Sequence, residues 1–399
     1  MMLRGALLNV LIQVGMAGIR YFLQLHAFKN VPLETVGQLS LVLTFITSCT
    51  FVAGLELHQH LNRPLLLSDH KHVRGMRFRG TFSAAALLLL ALAFPMISGV
   101  KPSYGLIVLI FIASVLEYLN LELGRLLIIN KRYLMVTALS ALRGLAPFIP
   151  GLFQEISLEV SLMSWAAVSL LSAASLLWAL SANRLVQRSR EPLTRADIAP
   201  TLRFFVVGGV TALLPFIERL CIARIFGLDT LGVYALIIMF VGMGDLLLQG
   251  VLWQPFLRTV TKRLAEPRTW QRTTAALLGI TMTIYGVMFV GLALFSTMIF
   301  DFLQKQSPPV ALITAVFLAG TARGSFTICF QLYYANHAER LLPYLQAGIA
   351  VSILLSYYVA ATFGLGLVSV LLMVASSWMV FPAIALTLHL PAPLRRQVS

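Results

Sequence analysis

The sequence predicts an all-α polytopic membrane protein of twelve transmembrane helices in two six-helix repeat halves, and three observations predict it. Of the 399 residues, 59% are hydrophobic and 11% charged, with a mean hydropathy of +0.87, a composition that a water-soluble globule cannot bury. Apolar runs of about 20 residues, long enough to cross a ~30 Å hydrocarbon core as helices, succeed one another along the chain. The stretch Leu33-Glu34-Thr35-Val36-Gly37-Gln38-Leu39-Ser40-Leu41 recurs 195 residues later as Leu228-Asp229-Thr230-Leu231-Gly232-Val233-Tyr234-Ala235-Leu236. Each copy sits in a short polar turn between two apolar runs, as the same corner of two related halves would.

The runs follow in order. Gly5 to Phe28 comes after Arg4 and lacks a small-residue cleavage site, so it reads as a retained helix and not a signal peptide. Val36 to Leu57 leaves the first corner, and Thr81 to Val100 follows the longest loop, His58 to Gly80. The tiny turn Lys101 to Tyr104 leads into Gly105 to Ile129; Tyr133 to Phe153 carries Pro147 and Pro150; Glu159 to Ala182 completes a first half at residues 1–183. A basic linker, residues 184–203, connects it to the second half, residues 204–399. That half reads as Phe204 to Phe226 with Pro215, Leu231 to Phe256, Thr274 to Phe300, Val310 to Tyr333, Leu341 to Thr362 and Leu365 to Leu388.

Loop charge sets the orientation. With the N-terminus inside, the inner segments hold 21 of the 30 Lys and Arg, and the outer turns hold three: Lys29, Lys101 and Lys305. This positive-inside bias places both termini in the cytoplasm. The net charge of +15 then follows from topology and contact with anionic membrane lipids, and no folded basic domain exists to bind nucleic acid. Cys49, Cys221 and Cys329 lie inside apolar runs at unrelated depths, so no disulfide framework is expected. His58-Gln59-His60 and His70-Lys71-His72 have spacings a metal accepts, but Lys71, Arg74, Arg77 and Arg79 beside them repel a cation. There is no G-x-x-x-x-G-K-[ST] loop, H-E-x-x-H helix or G-x-S-x-G elbow, and no cofactor is expected. The outer connections are too short to hold a second substrate, which argues against a membrane polymerase or ligase.

Ten charged residues remain inside the spans: Arg20, Arg125, Arg143, Arg219, Arg224, Arg323, Glu117, Glu122, Glu218 and Asp245. At roughly 2.5–3.5 kcal/mol each for a central position, they face protein or a wet cavity, or snorkel where they lie near helix ends, as Arg224, Arg125 and Glu56 do. Asn9, Gln13, Arg20 and Gln24 fall on one face of the first helix; Arg323, Thr327, Gln331 and Tyr334 repeat the pattern on the tenth; Asp245 and Gln249 form an i, i+4 pair on the eighth. Such stripes serve either as a water-filled path or as interhelical hydrogen bonding, and both readings stand for the amides. Arg20, Arg143 and Arg323 weigh toward the path: a buried guanidinium needs a partner, arginines in the spans exceed carboxylates by six to four, and those left over suit an arriving phosphate or diphosphate. Glu218 and Arg219 are adjacent, about 100° apart around the helix, and each needs a partner elsewhere. Glu122 and Arg125, at i, i+3, suit a direct ion pair. Glu117, Glu218 and Asp245 are the candidates for proton or cation coupling.

The whole chain resembles the multidrug/oligosaccharidyl-lipid/polysaccharide exporter superfamily, and within it the Wzx-type flippases. The resemblance lies in twelve helices as two halves, short outer turns, the corner Glu218-Arg219 with Gly227-Leu228-Asp229-Thr230-Leu231-Gly232-Val233-Tyr234-Ala235, and Arg323 to Tyr334 ending in Tyr333-Tyr334-Ala335-Asn336. Glu218 stands where the pattern favours Asp. The resemblance implies two bundles forming a V around a cationic cavity. Its substrate would be an undecaprenyl-diphosphate-linked oligosaccharide, flipped from the cytoplasmic to the periplasmic leaflet of the bacterial inner membrane for O-antigen or exopolysaccharide assembly, by alternating access with proton or sodium coupling. Arg20, Arg143, Arg219 and Arg323 would then be the cavity cations, and a polysaccharide polymerase and a chain-length regulator the partners downstream. A cation-coupled multidrug antiporter of the same superfamily is the rival; those transporters depend on an acidic residue in the first helix, and this first helix has none.

Overall fold

The computed structural model describes residues 14–15, 18–29, 31–54, 72–73, 76–98, 103–130, 132–153, 156–182, 187–188, 195–248, 260, 263–264, 266, 268–335 and 342–388. A helical stretch at residues 18–28, α1, leads to α2 (Leu33–Gly54), α3 (Met76–Ser98), α4 (Tyr104–Ile129), α5 (Tyr133–Leu145), a 3-10 turn (Ala146–Leu152) and α6 (Leu158–Ala182). Then come α7 (Arg195–Phe226), α8 (Leu228–Leu248), α9 (Trp270–Phe302), α10 (Val310–Ala335), α11 (Leu342–Phe363) and α12 (Leu367–Leu388). One feature is not helical: His72–Val73 and Gln187–Arg188, from the two long basic loops, pair as a two-stranded parallel bridge. The all-α architecture is otherwise as expected.

The recurring nonapeptide forms the first turns of α2 and of α8. Positions four, five, seven and nine of each copy are buried: Val36, Gly37, Leu39 and Leu41 in α2, and Leu231, Gly232, Tyr234 and Leu236 in α8. Glu34 and Asp229 lie in the first turn of each helix, where a carboxylate meets the positive end of the helix dipole. Between α7 and α8 only Gly227 intervenes, with φ of +90°, a conformation a Cβ would resist. Pro215 leaves α7 continuous. The fifth run, in contrast, does not continue to Phe153 as one α-helix: α5 ends at Leu145 and tightens into the 3-10 turn, because Pro147 and Pro150 have no N–H to donate. The α7 helix also begins nine residues before the sequence boundary at Phe204.

The chain divides into two compact units, Leu23–Leu220, and Met1–Phe22 with Cys221–Ser399. The divisions fall inside α1 and α7, whereas the sequence partition lay in the linker at 184–203. In the first unit α4 is the hub, packed on α6, α2 and α3; in the second α10 is the hub, packed on α12, α9 and α8. The two schemes are the same, six helices apart. Leu123, Leu126 and Leu127 of α4 lock against Ala173, Leu176, Ala179 and Leu180 of α6. Deeper in this contact Asn120 donates to the carbonyls of Leu116 and Ser169, each at 2.8 Å, and accepts from Ser172 Oγ at 2.6 Å. In the second unit an edge-on pair, Phe326 and Trp378, fills the α10–α12 contact.

Exposed apolar side chains line the outside of both units, among them Leu89 (68%), Trp178 (70%) and Leu294 (73%). Burying such surface in lipid is the reason it can be apolar. Nine helices among the described residues are long and apolar enough to cross a membrane, so the protein is a multi-pass membrane protein. Residues 5–13 and 16–17 of the first apolar run lie outside the described residues.

One contact in the first unit leaves no room for a side chain. A Cβ on Gly151 would stand 2.5 Å from Ala27 Cβ and 2.7 Å from Ala27 Cα. Gly151→Ala is therefore expected to destabilise the protein by about 1–3 kcal/mol, since backbone and not a flexible tip must move. Denaturant unfolding in detergent checks this.

Candidate functional site

Each unit holds a carboxylate that accepts from one guanidinium and one aromatic donor. In the first unit Arg143 of α5 donates to Glu117 of α4 at 2.6 Å, and the indole of Trp165 on α6 is a second donor to the same carboxylate. The pair is closed off, with side chains 7% and 12% exposed. Arg143 sits in the last turn of α5, and the following 3-10 turn places Ala146 N–H on its carbonyl. Its Nε has no hydrogen-bond partner among the described residues.

In the second unit Arg323 of α10 donates to Asp245 Oδ2 of α8 at 3.0 Å, and Tyr285 of α9 donates to Asp245 Oδ1. This pair is open: the Asp245 side chain is 40% exposed and that of Arg323 28%. Tyr285 itself is buried, clamped between two glycines. A Cβ on Gly244 would lie 3.0 Å from one ring edge, and on Gly324 2.9 Å from the other. The sequence therefore builds a rigid hydroxyl behind an accessible carboxylate. Tyr285→Phe keeps the ring and removes the donor; the expected loss is about 1.5–3 kcal/mol, the worth of a hydrogen bond to a charged group, read as a lower unfolding midpoint at unchanged helix content.

The two pairs are related with opposite sign. Tyr104–Ile129 and Val310–Ala335 are both 26 residues long, and Glu117 and Arg323 are each the fourteenth. In α1 and α7, Arg20 and Glu218 each lie eight residues before the helix end. At both pairs of equivalent positions one half carries a base and the other an acid.

Arg143 and Arg323 are thus not among the arginines left over by the excess of six over four: each has a carboxylate inside its own unit, and the coupling candidates Glu117 and Asp245 each have a base. The reason is packing between neighbouring helices, which periodicity within one helix does not report. Arg20 is half-buried and has no ion-pair partner among the described residues. Glu218 is buried and Arg219 half-buried on α7. Gln24 is buried on α1, while Thr327 and Gln331 are half-buried on α10 with Arg323. Asn9, Gln13, Gln249, Glu56 and the histidines 58, 60 and 70 lie outside the described residues, as does the side chain of Tyr334. The three cysteines are free thiols.

The expected Glu122–Arg125 pair forms, at 2.7 Å. It gains a third member that the sequence boundary had placed in a loop: Arg79, buried in the first turns of α3, donates to the other oxygen of Glu122. Arg79, Trp165 and Tyr285 are the residues that reading one run at a time misses. Tyr285 left one signal, a phenol within a 33-residue apolar helix.

No protein-family model matches the sequence, and no curated protein matches it. Solved structures do. An inward-facing multidrug resistance MATE family transporter of the MOP superfamily superposes with a TM-score of 0.67 at 12% identity, over 95% of this chain and 96% of that one. The fold is that of the MATE transporters. An outward-facing MATE transporter gives a TM-score of 0.61 at 13% identity over 96% and 94% of the two chains. A MOP superfamily transporter from Pyrococcus furiosus, described as having a binding pocket of reverse polarity that suggests a different function, gives 0.53 at 10% over 96% and 94%. At such identities the likeness establishes the MATE fold, and the substrate has to be argued from this chain's own charges.

Proposed function

We propose that this protein is a transporter of an anionic lipid-linked substrate, an undecaprenyl-diphosphate-linked oligosaccharide moved from the cytoplasmic to the periplasmic leaflet of the bacterial inner membrane for O-antigen or exopolysaccharide assembly. One observation carries the reading: the polar face of α1 presents a cation, Arg20, with no acidic partner among the described residues, on a helix whose whole apolar run contains no carboxylate. A guanidinium in an apolar setting favours a bidentate anion such as a diphosphate. Arg219 and Arg323 supply further positive charge in this reading, whereas Arg143 is closed off against Glu117. The site faces one leaflet and then the other by alternating access, and Asp245 and Glu218 are the groups through which a proton or sodium gradient couples. A polysaccharide polymerase and a chain-length regulator act on the flipped unit.

A second reading is a cation-coupled multidrug antiporter. The 40% exposed carboxylate of Asp245 favours it, because an open acid attracts a cationic drug.

The test is reconstitution into proteoliposomes with an undecaprenyl-diphosphate-linked oligosaccharide, its leaflet read by a membrane-impermeant glycosidase, beside ethidium transport driven by a proton gradient. Flipping without ethidium transport is the expected result; ethidium transport without flipping overturns it in favour of the antiporter. Deletion in the native host is expected to trap complete lipid-linked units on the cytoplasmic side. Units gathering at the periplasmic face would instead indicate a polymerase or ligase.

A further inference from the structure

The Arg79–Glu122–Arg125 cluster is distinct from the Arg143–Glu117 and Arg323–Asp245 pairs, and it is built asymmetrically. Both oxygens of Glu122 are occupied, Oε2 by the buried Arg79 and Oε1 by Arg125. Beneath them the network closes on itself: Tyr118, one turn before Glu122, bonds Ser83 of α3, and Ser83 Oγ donates to the Ala53 carbonyl of α2 at 2.9 Å. Arg125 is the member that faces outward. Its guanidinium carbon lies 5.9 Å from the centre of the Phe51 ring, and its side chain is 23% exposed. One nitrogen serves Glu122, and the remaining N–H groups have no protein partner among the described residues. A guanidinium over an aromatic ring with one nitrogen on a carboxylate leaves its other N–H groups for an anion, and two of them can take two oxygens of a phosphate.

Its position says which phosphates can reach it. Arg125 is one turn from the end of α4, Phe51 one turn from the end of α2, and Arg79 in the first turns of α3. Arg125 and Phe51 are thus near C-terminal ends and Arg79 near an N-terminal end, each within about 5 Å of where its helix stops or starts. Ile128, the next residue on the Arg125 face of α4, is 52% exposed, which marks that face as turned to acyl chains. The segment between α2 and α3 carries Arg63, Lys71 and Arg74 and raises the local concentration of anionic headgroups.

We infer that Arg125, set over the Phe51 ring and anchored by Glu122, is a binding site for the phosphate group of an anionic phospholipid at the basic end of the first unit. Such a site holds its lipid whether or not transport runs.

The experiment is native mass spectrometry of the full chain, released from detergent containing phosphatidylglycerol or phosphatidylcholine, with transport not measured. The wild-type protein is expected to retain phosphatidylglycerol over phosphatidylcholine, and Arg125→Gln to retain about fivefold less, the worth of one interfacial arginine. Arg125→Lys keeps the charge and the Glu122 partner but loses the planar fork, so an intermediate loss is expected. Phe51→Leu leaves the ion pair whole and serves where an Arg125 variant does not fold; about a twofold loss is expected as the ring contact goes. Adding millimolar inorganic phosphate separates the sources: undisturbed lipid supports a headgroup site, and phosphate that displaces it from the wild type alone supports a site for the free ion. Retention of phosphatidylglycerol equal to wild type in Arg125→Gln, or in Phe51→Leu where the former does not fold, overturns the inference.

Discussion

Glu117→Ala is expected to destabilise the protein by about 3–5 kcal/mol, because it leaves the Arg143 guanidinium buried without its counter-charge. Arg143 is 6% exposed as a residue, its Nε already lacks a partner among the described residues, and α5 ends in its own turn. It has little freedom to reach water. Trp165 loses its acceptor in the same variant. The diagnostic is the double variant Glu117→Leu with Arg143→Met, in which charge and counter-charge leave together. Replacing a buried ion pair with apolar groups of similar volume is often neutral or stabilising, so this chain is expected to unfold near or above the wild-type midpoint in detergent. If the double variant is as unstable as the single one, the pair does more than neutralise itself, and Trp165 or the 3-10 turn has to be brought into the account.

How far the sequence could be read depended on whether a feature lay along one helix or between two. Composition and run length were enough for an all-helical multi-pass fold, and the recurring corner marked α2 and α8 because the same four positions are buried in each. Boundaries moved where chemistry at a helix end outweighed hydropathy. Charged Arg195 to Arg203 extend α7, and Arg79 sits inside α3 because Glu122 reaches it. Stripes on single helices selected Arg20, Asp245 and Arg323, but the partners of a buried charge come from neighbouring helices, and no spacing within one run announces them. The Asp245–Tyr285 contact joins residues 40 apart and the Asp245–Arg323 contact residues 78 apart. The inversion of sign between Glu117 and Arg323 became visible only when α4 and α10 were seen to have equal lengths and the same packing role.

That inversion bears on transport. Of the two ion pairs, the one in the second unit is open, and on the proposed function an arriving anion would compete with Asp245 for Arg323 while Tyr285 keeps the carboxylate in place. Arg323→Gln is accordingly expected to lower flipping of the undecaprenyl-diphosphate-linked oligosaccharide by about 100-fold, equivalent to roughly 2.7 kcal/mol of lost stabilisation, with a smaller effect on unfolding than Glu117→Ala because Asp245 retains water and Tyr285. A purely structural pair predicts a different pattern. Exchanging the charges, Asp245→Arg with Arg323→Asp, would then restore function along with stability. If Arg323 binds substrate, the exchange keeps an ion pair but moves the cation from α10 to α8 and sets a carboxylate beside Tyr285's clamp at Gly324. Flipping is expected to stay at the level of Arg323→Gln. Measured side by side in proteoliposomes, recovery of flipping in the exchanged chain would assign Arg323 to the scaffold and leave Arg20 as the cation that meets the diphosphate.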